Sequence, residues 1–243
     1  MFDLAVSEGV ARLRLDRPRA RNAIPVEGWE RLAELLGELG DARLLLLSGE
    51  REAFCAGADL EDFPRLMEDE AAASGFRLAM RSALDALAGL EIVTAALVEG
   101  PCYGAGVALA MACDLRIAGP GARFAVTPAK FAISYPQEDV ARLVALVGPG
   151  QASRLLLGAG SIDAGEAARI GLVEILAEDP ASAVAALAEA ILANSPESIA
   201  TLKRGIRLAA AGVPRDETQD KRFDALFGGS GLGERFAALR PRR

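Results

Sequence analysis

Apolar and polar residues alternate over Asp3–Val6 and again over Ala11–Leu15, on either side of Glu8-Gly9. Period-two alternation around a turn pair predicts a hairpin. Over Val26–Leu39 the apolar positions fall at helical spacing, and Ala42–Leu47 is a continuous apolar run that predicts a strand buried on both faces. A loop rich in small residues follows over Glu52–Phe63, then a helical stretch around Ala79–Leu90 and a second buried strand over Glu91–Val98. Gly100 to Gly106 predicts a turn, Val107–Cys113 a helix of small apolar residues, and Leu115–Ile117 and Arg123–Val126 short strands. Beyond about residue 136 the pattern is mostly helical. Asp163 with Glu166 resembles a capping box, and Asp179-Pro180 and Ser195-Pro196 each place a cap before a helix-starting proline. The last helices are expected near Asp216–Phe227 and Glu234–Leu239. With no repeat and no long linker, the expectation is an α/β core over 1–185 and a helical region over 186–243.

Composition narrows the function classes. The 243 residues, 51% hydrophobic, are enough for one large domain or a core with a small appendage. Net charge is −7 and the basic residues are scattered, which argues against a nucleic-acid partner. No apolar run reaches the roughly 18 residues needed to span a bilayer, so no membrane partner is expected. Met1-Phe2-Asp3-Leu4 lacks the features of a signal peptide, and the expected location is cytoplasmic. Cys55, Cys102 and Cys113 sit among small apolar residues and are expected as reduced, buried thiols. The chain has no histidine. That removes Ser-His-Asp and Cys-His catalysis and most zinc sites, and no metal is expected. Acid–base chemistry is left to Asp, Glu, Tyr, Lys, Cys or water.

Gly104-Ala105-Gly106-Val107-Ala108-Leu109 follows a predicted strand and opens a helix. A dinucleotide fingerprint needs a third glycine where Leu109 stands, and Asp114 comes too early for a ribose contact. No Gly-Lys-Ser/Thr occurs, and Gly228-Gly229-Ser230-Gly231 has neither the context nor the histidine of a nucleophile elbow. Small residues at a helix start still let a ligand approach unpaired N–H groups at the positive end of the helix. A second small-residue loop, Cys55-Ala56-Gly57-Ala58-Asp59, follows the earlier strand. Two such donors converging would make an oxyanion hole. Tight packing at a strand–helix turn accounts for the same residues.

Phe54-Cys55-Ala56-Gly57-Ala58-Asp59-Leu60 resembles the F-x-A-G-A-D-[IL] segment of the crotonase (enoyl-CoA hydratase/isomerase) superfamily. Val98-Glu99-Gly100, Gly104-Ala105-Gly106 and Leu109–Asp114 resemble its N-G-x-x-x-G-G-G-x-x-L-A-x-x-C-D segment. Arg17-Pro18, Arg21-Asn22-Ala23, Gly160–Ala164, Ala168–Val173 and the closing Phe223–Arg243 fit as well, in order along nearly the whole chain. The resemblance implies a spiral ββα core that binds acyl-CoA, followed by a helical C-terminal trimerisation region, assembled as a homotrimer or hexamer. It implies an acyl-CoA thioester substrate in fatty acid metabolism, with coenzyme A as part of the substrate and no separate cofactor. The implied oxyanion hole is the backbone N–H of Ala58 and of Ala105. The implied CoA-binding positions are Arg21, Ala23, Ala56, Gly57, Ala58, Asp59, Leu60 and Glu61, with Ala105 and Thr127. Asp59 reads as a structural cap rather than an acid.

The chain departs from the hydratases of this superfamily, whose two glutamates would align with Ala108 and Pro128. Neither can transfer a proton. Phe124–Tyr135, with Thr127-Pro128 and Tyr135, resembles instead the F-x-x-T-P-x-x-L-G-x-x-Y stretch of methylmalonyl-CoA decarboxylase, although that branch has histidine at Ala58 and asparagine at Lys130. Loss of CO₂ from a malonyl-type thioester yields the enolate directly and needs no general base. Thr127 and Tyr135 are then candidates to orient the departing carboxylate. Two alternatives stay open. A hydratase or isomerase could use displaced acids, Glu138 or Asp139, with Glu99 a further candidate; or the chain binds acyl-CoA without catalysis.

Overall fold

The computed structural model describes residues 1–239; the last four residues of the expected C-terminal segment, 240–243, lie outside them. β1 (Phe2–Ser7) and β2 (Val10–Leu15) pair antiparallel across Glu8 and Gly9, both at positive φ, as a two-residue hairpin turn requires. Helix α1 (Val26–Leu35) leads into β3 (Leu44–Gly49); α2 (Phe63–Glu68) and α3 (Glu70–Gly89) lead into β4 (Val93–Val98). β5 (Pro101–Tyr103) and α4 (Ala105–Ala112) precede β6 (Leu115–Ala118), β7 (Arg123–Ala125) and α5 (Gln137–Gly158). β8 (Ile162–Asp163), α6 (Ala164–Arg169) and β9 (Ile175–Leu176) complete the sheets, and α7 (Pro180–Leu192), α8 (Pro196–Ala210), α9 (Glu217–Gly228) and α10 (Ser230–Leu239) follow.

The larger sheet has the order β1-β2-β3-β4-β6-β9, parallel from β2 onward. A second sheet has the order β5-β7-β8. The apolar run in β3 is explained by burial on both faces. Leu45 and Leu47 point into the main core with Trp29 and Leu32 of α1 and Leu84 and Leu87 of α3. Leu44 and Leu46 point the other way, with Ala95 of β4, against Ile191 of α7. Parallel strands read as unbroken hydrophobic runs for this reason. The expected division at residue 185 therefore falls inside a core helix, since Leu187, Ala188 and Ile191 of α7 cover that second face.

Several boundaries differ from expectation for local reasons. α3 begins well before Ala79, because Asp69 accepts bonds from the Ala71 and Ala72 N–H groups and starts a helix there. α4 begins at Ala105, two residues earlier than expected, on Gly104 as its cap. The expected turn from Gly100 contains β5, too short to show a period. The caps at Asp163, Asp179 and Ser195 form as expected, each side chain accepting an N–H three residues on. Only half of the Asp163 capping box exists, because Glu166 turns to Arg154 instead.

Asn22 fixes the entry to the site. It is fully buried at φ +58; its side chain accepts the Arg17 N–H at 2.9 Å and donates to the carbonyls of Glu50 at 3.0 Å and Ala53 at 2.7 Å. These bonds tie residues 17–24 to the loop after β3. Asn22→Ala removes all three, leaves their backbone partners without this bond and replaces a residue that tolerates left-handed backbone with one that tolerates it less. The expected loss is roughly 2–4 kcal/mol, read as a lower urea midpoint at unchanged slope.

Candidate functional site

Three extended segments meet beside the second sheet. The loop after β3 runs along β5, with Cys55 N–H donating to Pro101 O at 3.1 Å and Tyr103 N–H to Cys55 O at 2.9 Å. Its other side is held by residues 21–24. Ala56 N–H donates to Arg21 O at 2.9 Å, Ile24 N–H to Gly57 O at 2.8 Å, and Asp59 N–H to Ile24 O at 3.0 Å. Alternation along this strand turns the Ala58 N–H away from Ile24. Gly57 makes the approach possible. Its φ is +107°, and a β-carbon there would stand 2.8 Å from Tyr103 O and 3.3 Å from Ala105 N. The two small-residue loops are thus in direct backbone contact.

Gly104 supplies the second half of the site. Its φ of +52° with ψ of −118° belongs to glycine, and its N–H donates to Ala125 O at 2.9 Å. The chain then enters α4, whose small apolar residues are almost all buried. As the first residue of that helix, Ala105 has an N–H with no intrahelical partner. Among the described residues, neither the Ala58 nor the Ala105 N–H donates to a protein acceptor.

Both alanines line a cavity of about 440 Å³. Its wall includes Phe63 and Phe76, Met80, and, near the mouth, the half-exposed Phe131 and Ile133. Of the expected binding positions, Arg21, Ala23, Ala56, Gly57, Asp59, Leu60, Glu61 and Thr127 also lie on the wall. Two carboxylates, Asp59 and Glu61, lie on the wall. Asp59 accepts from Arg17 at 2.5 Å and from Glu61 N–H at 3.1 Å; burial lifts its carboxyl, but the Arg17 bond and charge and the Glu61 N–H more than offset this and hold it low. It is the cap expected. Glu61 is exposed.

The candidate acids lie elsewhere. Pro128 forms part of the wall, whereas Ala108 is buried within α4. Glu138 is tied to Arg81 of α3 at the surface, and Glu99 is exposed away from the cavity. Asp139 is buried but pairs with Arg142 at 2.9 Å, and it does not line the cavity. Burial raises its carboxyl despite that arginine. Neither displaced acid reaches the site, because both are spent in ion pairs that dock the start of α5 onto α3.

Thr127 and Tyr135 do reach it, with different outcomes. The Thr127 hydroxyl would lie 3.3 Å from a β-carbon on Gly104, and among the described residues it has no hydrogen-bond partner. Tyr135 donates its phenolic proton to Gly104 O at 3.0 Å. Burial, reinforced by the charge of Asp139, lifts this phenol well above its ordinary range. Beside the expected role of Tyr135 toward a substrate carboxylate, the structure shows a different bond: its one proton goes to the backbone. Sequence reasoning missed this bond because the partner is a carbonyl, which leaves no residue signature.

The three thiols are free and buried, and burial pushes Cys55 and Cys113 up to about 12. Such groups are packing residues. Among the described residues no cluster of His, Cys, Asp or Glu is placed to hold a metal, and no helix is long and apolar enough to cross a membrane.

Comparison with known proteins agrees with this architecture. Residues 5–225 match the family model described as enoyl-CoA hydratase/isomerase. The Mycobacterium tuberculosis protein named "Probable enoyl-CoA hydratase echA6" is 35% identical over 181 residues, covering 71% of this chain and 69% of its own. YngF of Bacillus subtilis, named as an enoyl-CoA hydratase/isomerase, is 34% identical over 206 residues, covering 82% and 78%. The crystal structure of an enoyl-CoA hydratase/isomerase family protein from Hyphomonas neptunium superposes with a TM-score of 0.93 at 36% identity, covering 100% of this chain and 96% of that one. An enoyl-CoA hydratase/carnithine racemase from Magnetospirillum magneticum gives the same TM-score at 30% identity, covering 98% and 92%. With its crotonase fold and its sequence match over most of its length, the chain belongs to the enoyl-CoA hydratase/isomerase family.

Proposed function

We propose that the chain acts on an acyl-CoA thioester, holding the thioester oxygen between the N–H groups of Ala58 and Ala105, and releases CO₂ from a malonyl-type acyl group. One observation carries this reading: two unpaired amides border a largely apolar cavity in which Asp59 is held by Arg17 and the other wall carboxylate, Glu61, is turned out to solvent. Decarboxylation fits such a site. The bond between the α-carbon and the carboxylate breaks and CO₂ leaves. Its electron pair becomes the enolate double bond, and the carbonyl electrons move onto the oxygen held by the two N–H groups. The donors thus strengthen as charge builds, which is where stabilisation accelerates a reaction. The enolate then takes a proton from water at the α-carbon.

The surroundings support the same chemistry. Phe63, Phe76 and Met80 offer the carboxylate little solvation, so losing its charge to neutral CO₂ relieves an unfavourable placement. A free Asp or Glu would repel it. The unpartnered Thr127 hydroxyl is the group suited to orient it. Coenzyme A leaves the cavity past Arg21, Ala23, Ala56, Leu60 and Glu61.

Incubation with malonyl-type, crotonyl and 3-enoyl thioesters, followed by mass spectrometry, is expected to show loss of CO₂ from the malonyl type and little change in the others. Hydration of crotonyl-CoA at ordinary enzyme rates would overturn the reading, and tight binding of every thioester without product would favour a binding role. Ala105→Pro should lower the decarboxylation rate about 100- to 1,000-fold, because it removes one donor at a helix position that tolerates proline. Ala108→Gly is the control that keeps both donors.

The same reading includes assembly. Leu202 and Ile206 of α8, Phe223 and Phe227 of α9 and Phe236 of α10 are more than half exposed. These side chains give the C-terminal helices an apolar surface suited to contact between copies. Sedimentation at micromolar concentration should show a trimer or hexamer; a stable monomer would contradict the assembly.

A further inference from the structure

We propose that Tyr135 is a positioning residue, which sets the second amide donor through the peptide linking Gly104 to Ala105. The inference rests on the proposed use of the Ala105 N–H and concerns how that donor is aimed. A trans peptide is planar, with its C=O and N–H pointing in opposite directions. Whatever holds the Gly104 carbonyl therefore fixes the line of the Ala105 N–H.

Three donors converge on that carbonyl. Tyr135 Oη–H reaches it at 3.0 Å, Val107 N–H at 2.9 Å and Ala108 N–H at 3.3 Å. The two amides belong to the first turn of α4 and follow from its geometry. The phenol is the only side chain among these donors, and it comes from the loop that closes the cavity after the turn at Pro128–Phe131. Gly104 needs such a constraint, because glycine at φ +52° and ψ −118° can rotate its peptide with little steric resistance. A hydrogen bond to the carbonyl also polarises the peptide and makes the N–H on its far side a stronger donor. Asp139 and Arg142 stand behind the phenol, and Asp85 of α3 binds Arg142 at 2.7 Å. Burial keeps the phenol protonated, so it stays a donor throughout the working pH range.

The test separates aiming the hole from touching the substrate. Acetyl-CoA carries the thioester but no carboxylate, and the infrared stretch of its bound carbonyl reads the hole directly. In the wild-type protein that stretch should fall relative to free acetyl-CoA. In Tyr135→Phe the fall should shrink by about half, and kcat for the malonyl-type substrate should drop roughly tenfold with KM within about twofold. Melting near the wild-type temperature would show that the ring still packs. Replacing Tyr135 by 3-fluorotyrosine keeps the shape and strengthens the donor, and should deepen the fall; it covers the case in which the phenylalanine variant does not fold. An equal carbonyl shift in wild type and Tyr135→Phe would overturn the positioning role while leaving the proposed hole intact. No shift in wild type would overturn the hole itself. Decarboxylation lost with the acetyl-CoA shift unchanged would mean that Tyr135 touches the carboxylate instead.

Discussion

The peptide between Gly104 and Ala105 is the constraint on which the rest of the site depends. Its carbonyl takes the Tyr135 proton and its N–H is left without a protein partner. Ala125 O anchors the glycine from β7, and α4 leaves from it straight into the core. Helices that are apolar on all sides are buried on all sides. Burial of α4 therefore fixes the helix side of that peptide, and the Tyr135 bond holds its carbonyl. The second donor, at Ala58, is placed by a different device: Ile24 donates to Gly57 O and accepts from Asp59 N–H, so the Ala58 N–H between them faces away.

Bringing these backbones together limits which residues can stand near them. Gly57 sits against Tyr103 O and Ala105 N with no room for a β-carbon, and the neighbouring positions 56, 58 and 105 are alanine. The polar side chains needed for rigidity are set back from the cavity. Asn22 braces the entry segment from behind, Arg17 takes up Asp59, and the ion pairs of Arg81 and Arg142 dock the start of α5. Of the cavity carboxylates, Asp59 is paired with Arg17, and Glu61 faces solvent.

Much of this was legible in the sequence, for identifiable reasons. The β3 run of leucines states its two-sided burial, and Glu8-Gly9 states the hairpin turn. Asp163, Asp179 and Ser195 announce their helices, because a cap is a contact between residues three apart. The small-residue loops marked the two backbone segments that meet at the cavity. What escaped is non-local or directed at the backbone. β8 and β9 are two residues each, and their pairing with β7 and β6 leaves no period to read. The Tyr135–Gly104 bond spans 31 positions and ends on a carbonyl. The ion pairs of Glu138 and Asp139 depend on where α3 lies relative to α5, so a carboxylate near the motif looked available when it was already engaged.

This distribution of charge bears on the class of reaction. A site that draws a proton from carbon or splits water needs a base poised near neutrality, which means a group whose charge is left partly uncompensated. Here Asp59 on the cavity wall is held ionised with the help of Arg17; Asp139, whose carboxyl burial raises, pairs with Arg142 and does not line the cavity; and Glu61 faces solvent. Histidine is absent from the chain altogether. Two fixed dipoles facing an apolar cavity need no proton acceptor when the electron pair arrives by cleavage of a carbon–carbon bond. Stabilisation of a developing oxyanion by preorganised N–H groups requires no rearrangement as the charge appears. On the proposed reading, a substrate that carries its own leaving carboxylate brings the charge that the protein does not have to generate.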